Sequence, residues 1–213
     1  MELGIFSRTY EIDDLRETYR RMKSAGIRRT QLNFSNAGLP TMAEEYRDED
    51  IARIRCISVE EGIALDAVSG TFNMIDPDEE ARERGCREFR TQCRAAAALG
   101  IPLVSLCTGS KHPKSKWTWH DDNLKDSAWD DLMQTTERII RYAEESNVIL
   151  GVETEASNIV CTPAKARKYL DAVGSPHLKV IMDGANLFRP EQVKDMRAIL
   201  DEAFDLLGGD IRK

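Results

Sequence analysis

The sequence predicts an α/β protein with a parallel sheet, because short apolar runs alternate along the chain with longer amphipathic segments. Six runs have the length and composition of buried strands: LGIFS, TQLNF, IALDAVS, PLVSLCT, VILGVE and LKVIMD. Each is followed by a segment with helical spacing of its apolar residues, and one run with its segment spans roughly thirty residues, the size of a βα repeat. Such alternation places helices over the faces of a parallel sheet.

The first three helices are predicted from apolar spacing and from their ends. DDLRETYRRMKSAG places Leu15, Tyr19 and Met22 four and three residues apart, so that they share one face. In DEDIARIRCISVEEG the isoleucines recur every third residue and indicate the same arrangement. PDEEARERGCREFRTQCRAAAALG opens with Pro77 and acidic residues, which are common at the amino end of a helix.

The last three helices follow from the same signals. A fourth helix is expected from about Ser127 to Asn147. A fifth, TPAKARKYLDAVG, has Thr162 as its N-cap and Pro163 at the first helical position. The last is RPEQVKDMRAILDEAFDLLGG, which we expect to end at a glycine C-cap, with a seventh strand beginning in GGDIRK.

Composition narrows the class of protein. A length of 213 residues, with 41% hydrophobic and 31% charged residues, suits one globular domain over residues 1–213. The net charge of −7 argues against a dedicated nucleic-acid-binding protein. No apolar stretch reaches the length of a membrane span, the first residues lack the pattern of a secretion signal, and the five cysteines form no CxxC pair. We expect a cytoplasmic protein without nucleic-acid or membrane partners.

Two parallel architectures compete, and the strand ends favour a barrel. A doubly wound nucleotide-binding fold would place glycines directly after its first strand, where this chain has SRTYEIDD. A (β/α)8 barrel carries its chemistry at the carboxyl ends of several strands. Polar residues stand at these points: Asn33, Ser69, Asn73, Thr108, Glu153 and Asp183. We therefore predict an α/β fold of the (β/α)8 TIM-barrel type, incomplete, with six βα units present.

Six units leave the predicted barrel two short of closure. The strands near Leu3–Ser7 and Lys179–Asp183 would each keep an edge of unpaired backbone groups, and apolar interior residues would face water. Both features favour association. We expect that the 213-residue chain is not an isolated monomer. Either it forms a homodimer with the gap near the interface, or residues beyond Lys213 complete the barrel.

Carboxylates stand at the ends of two successive strands. VILGVE ends at Glu153, and Glu155 shares its face if the strand continues, because residues two apart point the same way. Asp183 ends the next strand, so in a barrel it would neighbour Glu153 at one rim. Facing carboxylates share a proton or bind a cation, and a metal held this way leaves positions for substrate. The alternative is that each acid caps the following helix or pairs with a nearby Lys or Arg.

The loop after the fourth strand, GSKHPKSKWTWHDDN, combines aromatic and basic residues. Trp117, Trp119 and His120 lie among three lysines. Aromatic rings stack on the apolar faces of sugars, and lysines attract phosphate. These residues favour a substrate lid, with His120 as the best candidate for a polar contact. The alternative is a solvated loop with one tryptophan packed onto the barrel and its lysines as surface charge.

Motifs along almost the whole chain resemble one family. They are LGIFSRTY, SGTFNMIDPD, CTGS with WTWHDDN, LGVETEASN and VIMDGANLF. The chain resembles the sugar phosphate isomerase/epimerase family, the xylose-isomerase-like TIM barrels, and relative to that family it ends two βα units early. The motifs after the third and fourth strands are fairly specific to one branch, whereas the strand-end acids are shared widely.

The resemblance implies a divalent metal (Mn, Mg, Co or Zn), which the family holds through Glu, Asp, His and Glu of the fifth to eighth strands. The first two ligands fall on Glu153 and Asp183, and the other two have no counterpart, so we expect weak metal binding or none. Glu153 would also exchange a proton with the carbon next to a carbonyl. Asn186 stands where the family often has His. The expected substrate-binding residues are Asn73, Trp119, His120, Glu155 and Asn186, although orienting the rim is the favoured role for Glu155.

Three functions remain open, and the first is preferred. It is an isomerase or epimerase of a sugar or sugar phosphate that uses metal-assisted proton transfer next to a carbonyl. The second is a non-catalytic relative, which the missing strands favour. The third is a metal-dependent phosphodiesterase like the apurinic-site endonucleases, which share the barrel. Those sites use several zinc ions and many histidines, and this acidic chain has three scattered histidines.

Overall fold

One sheet of six parallel strands forms the centre of the molecule, and its strands follow the order of the sequence. The computed structural model describes residues 2–213. The strands are β1 (Gly4–Phe6), β2 (Arg29–Leu32), β3 (Ala64–Ser69), β4 (Leu103–Cys107), β5 (Ile149–Glu153) and β6 (Leu178–Ile181). Each strand pairs in parallel with the next. The parallel sheet predicted from the apolar runs is therefore confirmed.

A helix follows each strand. The helices are α1 (Leu15–Ser24), α2 (Asp48–Glu61), α3 (Glu79–Leu99), α4 (Asp126–Ser146), α5 (Pro163–Val173) and α6 (Met196–Leu207). Asp14, Asp78 and Thr162 each accept a hydrogen bond from a backbone N–H in the first turn of α1, α3 and α5. Because Asp78 is the cap, α3 begins two residues after Pro77. The cap predicted for α5 is observed.

The sheet curves around an interior. Residues from β1 to β5 and the segment Arg212–Lys213 line one cavity of about 480 Å³ near the amino ends of the strands. A flat sheet could not bring residues of five successive strands to one cavity. The fold is therefore an incomplete (β/α)8 barrel with six units, as predicted.

The main core lies between the sheet and its helices, and it includes two tyrosine side chains. Tyr19 and Tyr169 are fully buried. Their hydroxyl groups lie 3.0 Å from Ser58 Oγ and 2.6 Å from Thr136 Oγ1, so neither phenol is buried without a partner. A small separate cluster contains Ala67, Leu103 and Ile181.

The two outer strands differ at their edges. Within residues 2–213, β1 pairs with β2 alone. The expectation of a bare edge at Lys179–Asp183 is wrong, because the segment Ile211–Lys213 runs parallel to β6. Arg212 N–H donates to Val180 O at 2.9 Å, and Met182 N–H donates to Lys213 O at 2.7 Å. The predicted seventh strand is thus present as a three-residue pairing.

α6 ends without the left-handed glycine that the sequence predicts. Gly208 has φ −52°, and a 3-10 turn over Gly208–Asp210 continues the helix. The carboxylate of Asp210 accepts hydrogen bonds from Lys179 at 2.6 Å and Arg167 at 2.7 Å. These bonds hold the pKa of Asp210 below its usual range. They also fasten the turn to β6 and α5 and so position the segment that pairs with β6.

Candidate active site

A cavity of about 470 Å³ lies at the carboxyl ends of the strands, and we call it the central cavity. All six strands or their following loops contribute to it. Its lining residues are Phe6, Gln31, Asn33, Ser69, Thr71, Ser105, Trp117, Glu153, Ile181, Met182, Asp183, Gly184 and Lys213. This end of a barrel is where its chemistry is expected.

Glu153 and Asp183 both line the central cavity. Glu153 is the last residue of β5, and Asp183 lies two residues beyond the end of β6. Because β5 and β6 are parallel neighbours, their carboxyl ends lie side by side. Asp183 Oδ1 also accepts the backbone N–H of Ala185 at 2.9 Å, which fixes the turn after β6. The fold therefore brings the two strand-end acids to one cavity.

The environment of Glu153 favours its protonated form. Burial raises the pKa of Glu153, and the neighbouring Asp183 carboxylate raises it further. Asn186 opposes these effects, because its Nδ2 donates a hydrogen bond to Glu153 Oε1 at 2.6 Å. A carboxyl group with a raised pKa beside a second acid can take up and return a proton.

Glu155 is deeper in the structure than the strand pattern predicts. β5 ends at Glu153, so alternation along the strand does not position Glu155. A turn follows instead, in which Asn158 N–H donates to Glu155 O at 2.9 Å. The side chain is only 8% exposed. Burial, followed by the charge of Glu153, raises the pKa of Glu155 to about 8, against the effect of Lys116.

The carboxylates at the rim provide fewer ligands than a complete metal site has. Within residues 2–213, no group of three His, Cys, Asp or Glu side chains is arranged to hold an ion. Glu153 and Asp183 supply two carboxylates at one cavity. Magnesium is commonly held by one or two carboxylates and keeps several water ligands, so this pair fits a loosely bound hard cation. It does not fit a structural zinc site, which needs four protein ligands.

A layer of polar side chains inside the barrel was missed among the predicted substrate-binding residues. Gln31 Nε2 lies 3.5 Å from Ser69 Oγ and 3.4 Å from Ser105 Oγ, and all three residues line the central cavity. The side-chain oxygen of Gln31 accepts a hydrogen bond from Lys213 Nζ. The signal was present in the sequence, because Gln31 and Ser105 interrupt the apolar runs TQLNF and PLVSLCT.

The tryptophan that lines the central cavity is Trp117 rather than Trp119. Trp117 is 49% exposed, and Lys116 Nζ lies 5.1 Å from the centre of its ring. The Trp119 ring lies instead under the Arg189 guanidinium, at 4.7 Å. Trp119 Nε1 donates to Asp121 Oδ1 at 3.1 Å. These contacts direct Trp119 towards the loop after β6 and away from the central cavity.

His120 and Asn73 hold the loops together in the structure. His120 Nδ1 accepts the backbone N–H of Asp122 at 3.2 Å and caps a short 3-10 helix. Asn73 donates to Ser110 O at 2.8 Å and accepts from Ser110 N–H at 3.0 Å. Neither residue lines the central cavity. Their observed contacts join the loop after β4 to itself and to the loop after β3.

Among the predicted substrate-binding residues, Asn186 is the one that donates a hydrogen bond directly to Glu153.

None of the helices within residues 2–213 has the length and apolar composition needed to cross a bilayer.

Comparison with known proteins gives one family. A family model described as xylose isomerase-like TIM barrel matches residues 19–211. No curated protein matches the chain.

Solved structures share the fold at low identity. An L-ribulose 3-epimerase is 17% identical with a TM-score of 0.77, and the match covers 99% of this chain and 68% of that one. A 3-keto-D-glucoside 4-epimerase from E. coli is 16% identical with a TM-score of 0.74, covering 98% and 77%. A xylose isomerase-like TIM barrel protein from Mycobacterium smegmatis in complex with magnesium is 15% identical with a TM-score of 0.70, covering 96% and 72%.

These likenesses show a common fold in chains longer than this one. The family match spans nearly all of the sequence and includes every strand from β2 to β6. The chain belongs to the xylose isomerase-like TIM barrel family.

Proposed function

We propose that the protein is a sugar isomerase or epimerase, in which Glu153 moves a proton at the carbon next to the substrate carbonyl. The observation that carries this proposal is the Glu153 carboxyl group, which lines an open cavity beside Asp183 and has a raised pKa. The family supports the same reaction class, because several solved structures of this fold are sugar epimerases.

Glu153 acts first as a base. In its ionised form it removes the proton from the carbon next to the carbonyl, and the carbonyl oxygen takes up the electron pair. In an isomerisation the protonated Glu153 then returns the proton to the former carbonyl carbon, while a hydroxyl proton moves between the two oxygens of the enediolate. In an epimerisation a solvent water protonates the original carbon from the opposite face, and Glu153 loses its proton to solvent. Asn186 binds Oε1 of Glu153 at 2.6 Å, which leaves Oε2 for the transferred proton.

Asp183 tunes this step and supplies the second carboxylate for a cation. Without a cation, its negative charge raises the pKa of Glu153, and a bound cation would lower that pKa again. A divalent cation bound by Glu153 and Asp183 would polarise the substrate carbonyl and make the adjacent C–H more acidic. Its other positions would be left to water and substrate oxygens.

The remaining walls of the central cavity suit a polyhydroxylated ligand. Gln31, Ser69 and Ser105 present an amide and two hydroxyls at one level of the barrel. Trp117 offers a partly exposed ring that can cover the apolar face of a sugar. We assign substrate hydroxyl contacts to this layer and to Asn186.

Solvent deuterium exchange tests the proposal. The protein is incubated with a panel of ketoses in D2O with Mg²⁺ or Mn²⁺, and incorporation at the carbons flanking the carbonyl is followed by NMR. Glu153→Gln should reduce the exchange rate by about 100-fold or more, because the amide cannot accept the proton. Glu137→Gln, at an exposed position of α4, is the matched control and should retain the rate. Exchange that survives Glu153→Gln would overturn the assignment of the base.

A non-catalytic sugar-binding protein is the second candidate, and the incomplete metal-ligand set within residues 2–213 favours it. The two candidates differ in one measurement. A ketose that binds by calorimetry but shows no exchange at saturating metal would favour the second. The same titrations should show weak Mn²⁺ binding, because two carboxylates give poorer affinity than four ligands. Tight one-to-one binding abolished by Glu153→Ala would contradict the two-ligand description.

A further inference from the structure

A second cavity adjoins the central one. It has a volume of about 520 Å³ and lies between the loops after β2, β3 and β4 and one face of α3. We call it the side cavity. Thr71 lines both cavities, and Lys116 of the side cavity precedes Trp117 of the central cavity. The two cavities therefore meet at Thr71, which places the side cavity next to a substrate bound in the central cavity.

The side cavity has more positive than negative side chains. Arg84, Lys114 and Lys116 line it, together with Asp76 and Glu88. Asp76 is engaged locally, since its carboxylate accepts hydrogen bonds from Asn73 Nδ2 at 3.2 Å and from a backbone N–H at 3.0 Å. Glu88 is the second negative charge of the lining. The balance of the lining is one net positive charge.

The three cations of the side cavity lack carboxylate partners. Within residues 2–213, none of their nitrogens lies within 4.0 Å of a carboxylate oxygen. Other basic side chains on the same elements behave differently, because Arg82 and Lys111 both pair with Asp131, and Arg87 pairs with Glu44. The three cations that face the side cavity therefore keep their charge available for a ligand.

Lys116 is held in place at the boundary between the cavities. Its Nζ donates to Thr71 O at 2.6 Å and lies over the Trp117 ring. An ammonium group has three donors, so two remain after the bond to Thr71. The side chain is half-buried, in contrast to the exposed Lys114 and Arg84. The side cavity thus contains one cation held by a hydrogen bond, Lys116, and two exposed cations, Arg84 and Lys114.

We propose that the side cavity binds an anionic group of the substrate, a phosphate or a carboxylate, carried on the end of the sugar away from the reacting carbon. This inference rests on the proposed function, because it takes the sugar in the central cavity as its starting point. Arg84, Lys114 and Lys116 supply charge-assisted hydrogen bonds to the anion. Substrates without an anionic end leave these cations unused and bind more weakly.

Calorimetry with three ligands tests the proposal: a neutral ketohexose, the corresponding ketohexose 6-phosphate and a hexuronate. The wild-type protein should bind at least one anionic ligand about tenfold or more tightly than the neutral sugar. Whichever anion binds more tightly identifies the source of the charge. Arg84→Gln with Lys114→Gln should abolish that preference while leaving the affinity for the neutral sugar unchanged. Raised salt should weaken binding of the anion alone.

Matched controls separate local from general electrostatics. Arg94→Gln removes an exposed arginine of α3 that lines a different cavity, and Lys194→Gln removes an exposed lysine between β6 and α6. Neither should change the preference more than about twofold. Equal affinity for all three ligands, or a preference unaffected by the double variant, would overturn the proposal.

Failure of the anion-binding proposal can be distinguished from failure of the proposed catalytic function. Anion-dependent binding without deuterium exchange supports the side cavity and contradicts the catalytic role of Glu153. Exchange in a neutral ketose with no preference for anions does the reverse.

Discussion

Glu155 is the residue whose ionisation couples most clearly to stability. Its carboxyl group is buried, and its pKa is raised to about 8. In the unfolded chain a glutamate ionises near about 4.3. Between these values the folded protein holds a proton that the unfolded chain has lost, so the free energy of unfolding falls as the pH rises from about 4.3 to about 8.

Removing this group should flatten that dependence. Between pH 5 and pH 8 the wild type should lose free energy of unfolding that Glu155→Gln keeps. The variant should therefore gain on the order of 3 kcal/mol relative to the wild type over this range, since each unit of pKa corresponds to about 1.4 kcal/mol. Urea unfolding at both pH values measures it. Glu137→Gln, at an exposed position, should follow the wild type at each pH. A wild-type stability that rises from pH 5 to pH 8, with Glu155→Gln rising in parallel, would contradict the buried protonated carboxyl.

The predictability of single residues depends on what positions them. Glu153 and Asp183 could be placed at one cavity from the sequence, because the ends of neighbouring parallel strands fix their location. Trp119 and Trp117 could not be told apart, since both lie in one loop and the choice depends on Arg189, which is distant in sequence. Residue patterns thus predict strand-end side chains better than loop side chains.

The loop after β4 is an element whose conformation depends on one glycine. Gly109 has φ +78°, and a Cβ at that position would lie 1.9 Å from Asn73 Oδ1. The same Asn73 amide braces Ser110 with two hydrogen bonds. A side chain at Gly109 therefore costs left-handed backbone strain and also displaces the brace.

Comparison with a second glycine isolates the steric contribution. Gly100, at the end of α3, has φ +72° with nothing within 4 Å of the position of a Cβ. Gly100→Ala should therefore cost only the backbone strain, about 1 kcal/mol. Gly109→Ala should cost at least about 2 kcal/mol more, because Asn73 must move. Thermal unfolding of both variants tests this. Equal losses of stability would show that the Asn73 side chain moves aside without a cost in free energy.

Helix ends were predictable where a side chain caps the helix, and less predictable where the backbone conformation alone determines the end. Thr162 and Pro163 mark the start of α5 in both sequence and structure. The last predicted helix is divided, because a 3-10 helix over Pro190–Asp195 precedes α6. Gly208 also takes a right-handed φ and continues the chain into a 3-10 turn. Glycine permits a left-handed cap without requiring one.

For the whole molecule, periodicity predicts the layers but not the edges. Six repeated strand–helix units are enough to predict a parallel sheet covered by helices. The repeat also predicts that a seventh strand begins in GGDIRK, but three residues carry no recognisable period, so the extent of the pairing of Ile211–Lys213 with β6 could not be predicted. It depends on Asp210 and its two cationic partners, which come from different elements.

The side of the barrel between β1 and α6 should make the 213-residue chain self-associate. The outer edge of β1 has no strand partner in residues 2–213. Large apolar side chains are exposed next to β1 and on α6: Leu3, which precedes β1, is 71% exposed, and Phe204 of α6 is 55% exposed. An unpaired strand edge with apolar side chains is a template for association.

We expect dimers or larger species that increase with concentration and salt in chromatography with light scattering. Leu3→Lys with Phe204→Lys should shift the population to monomer, because charges on an edge oppose pairing. Val59→Lys, at a 77% exposed position on α2, should leave the distribution unchanged. A wild-type chain that stays monomeric at all concentrations would show that this surface is tolerated in water.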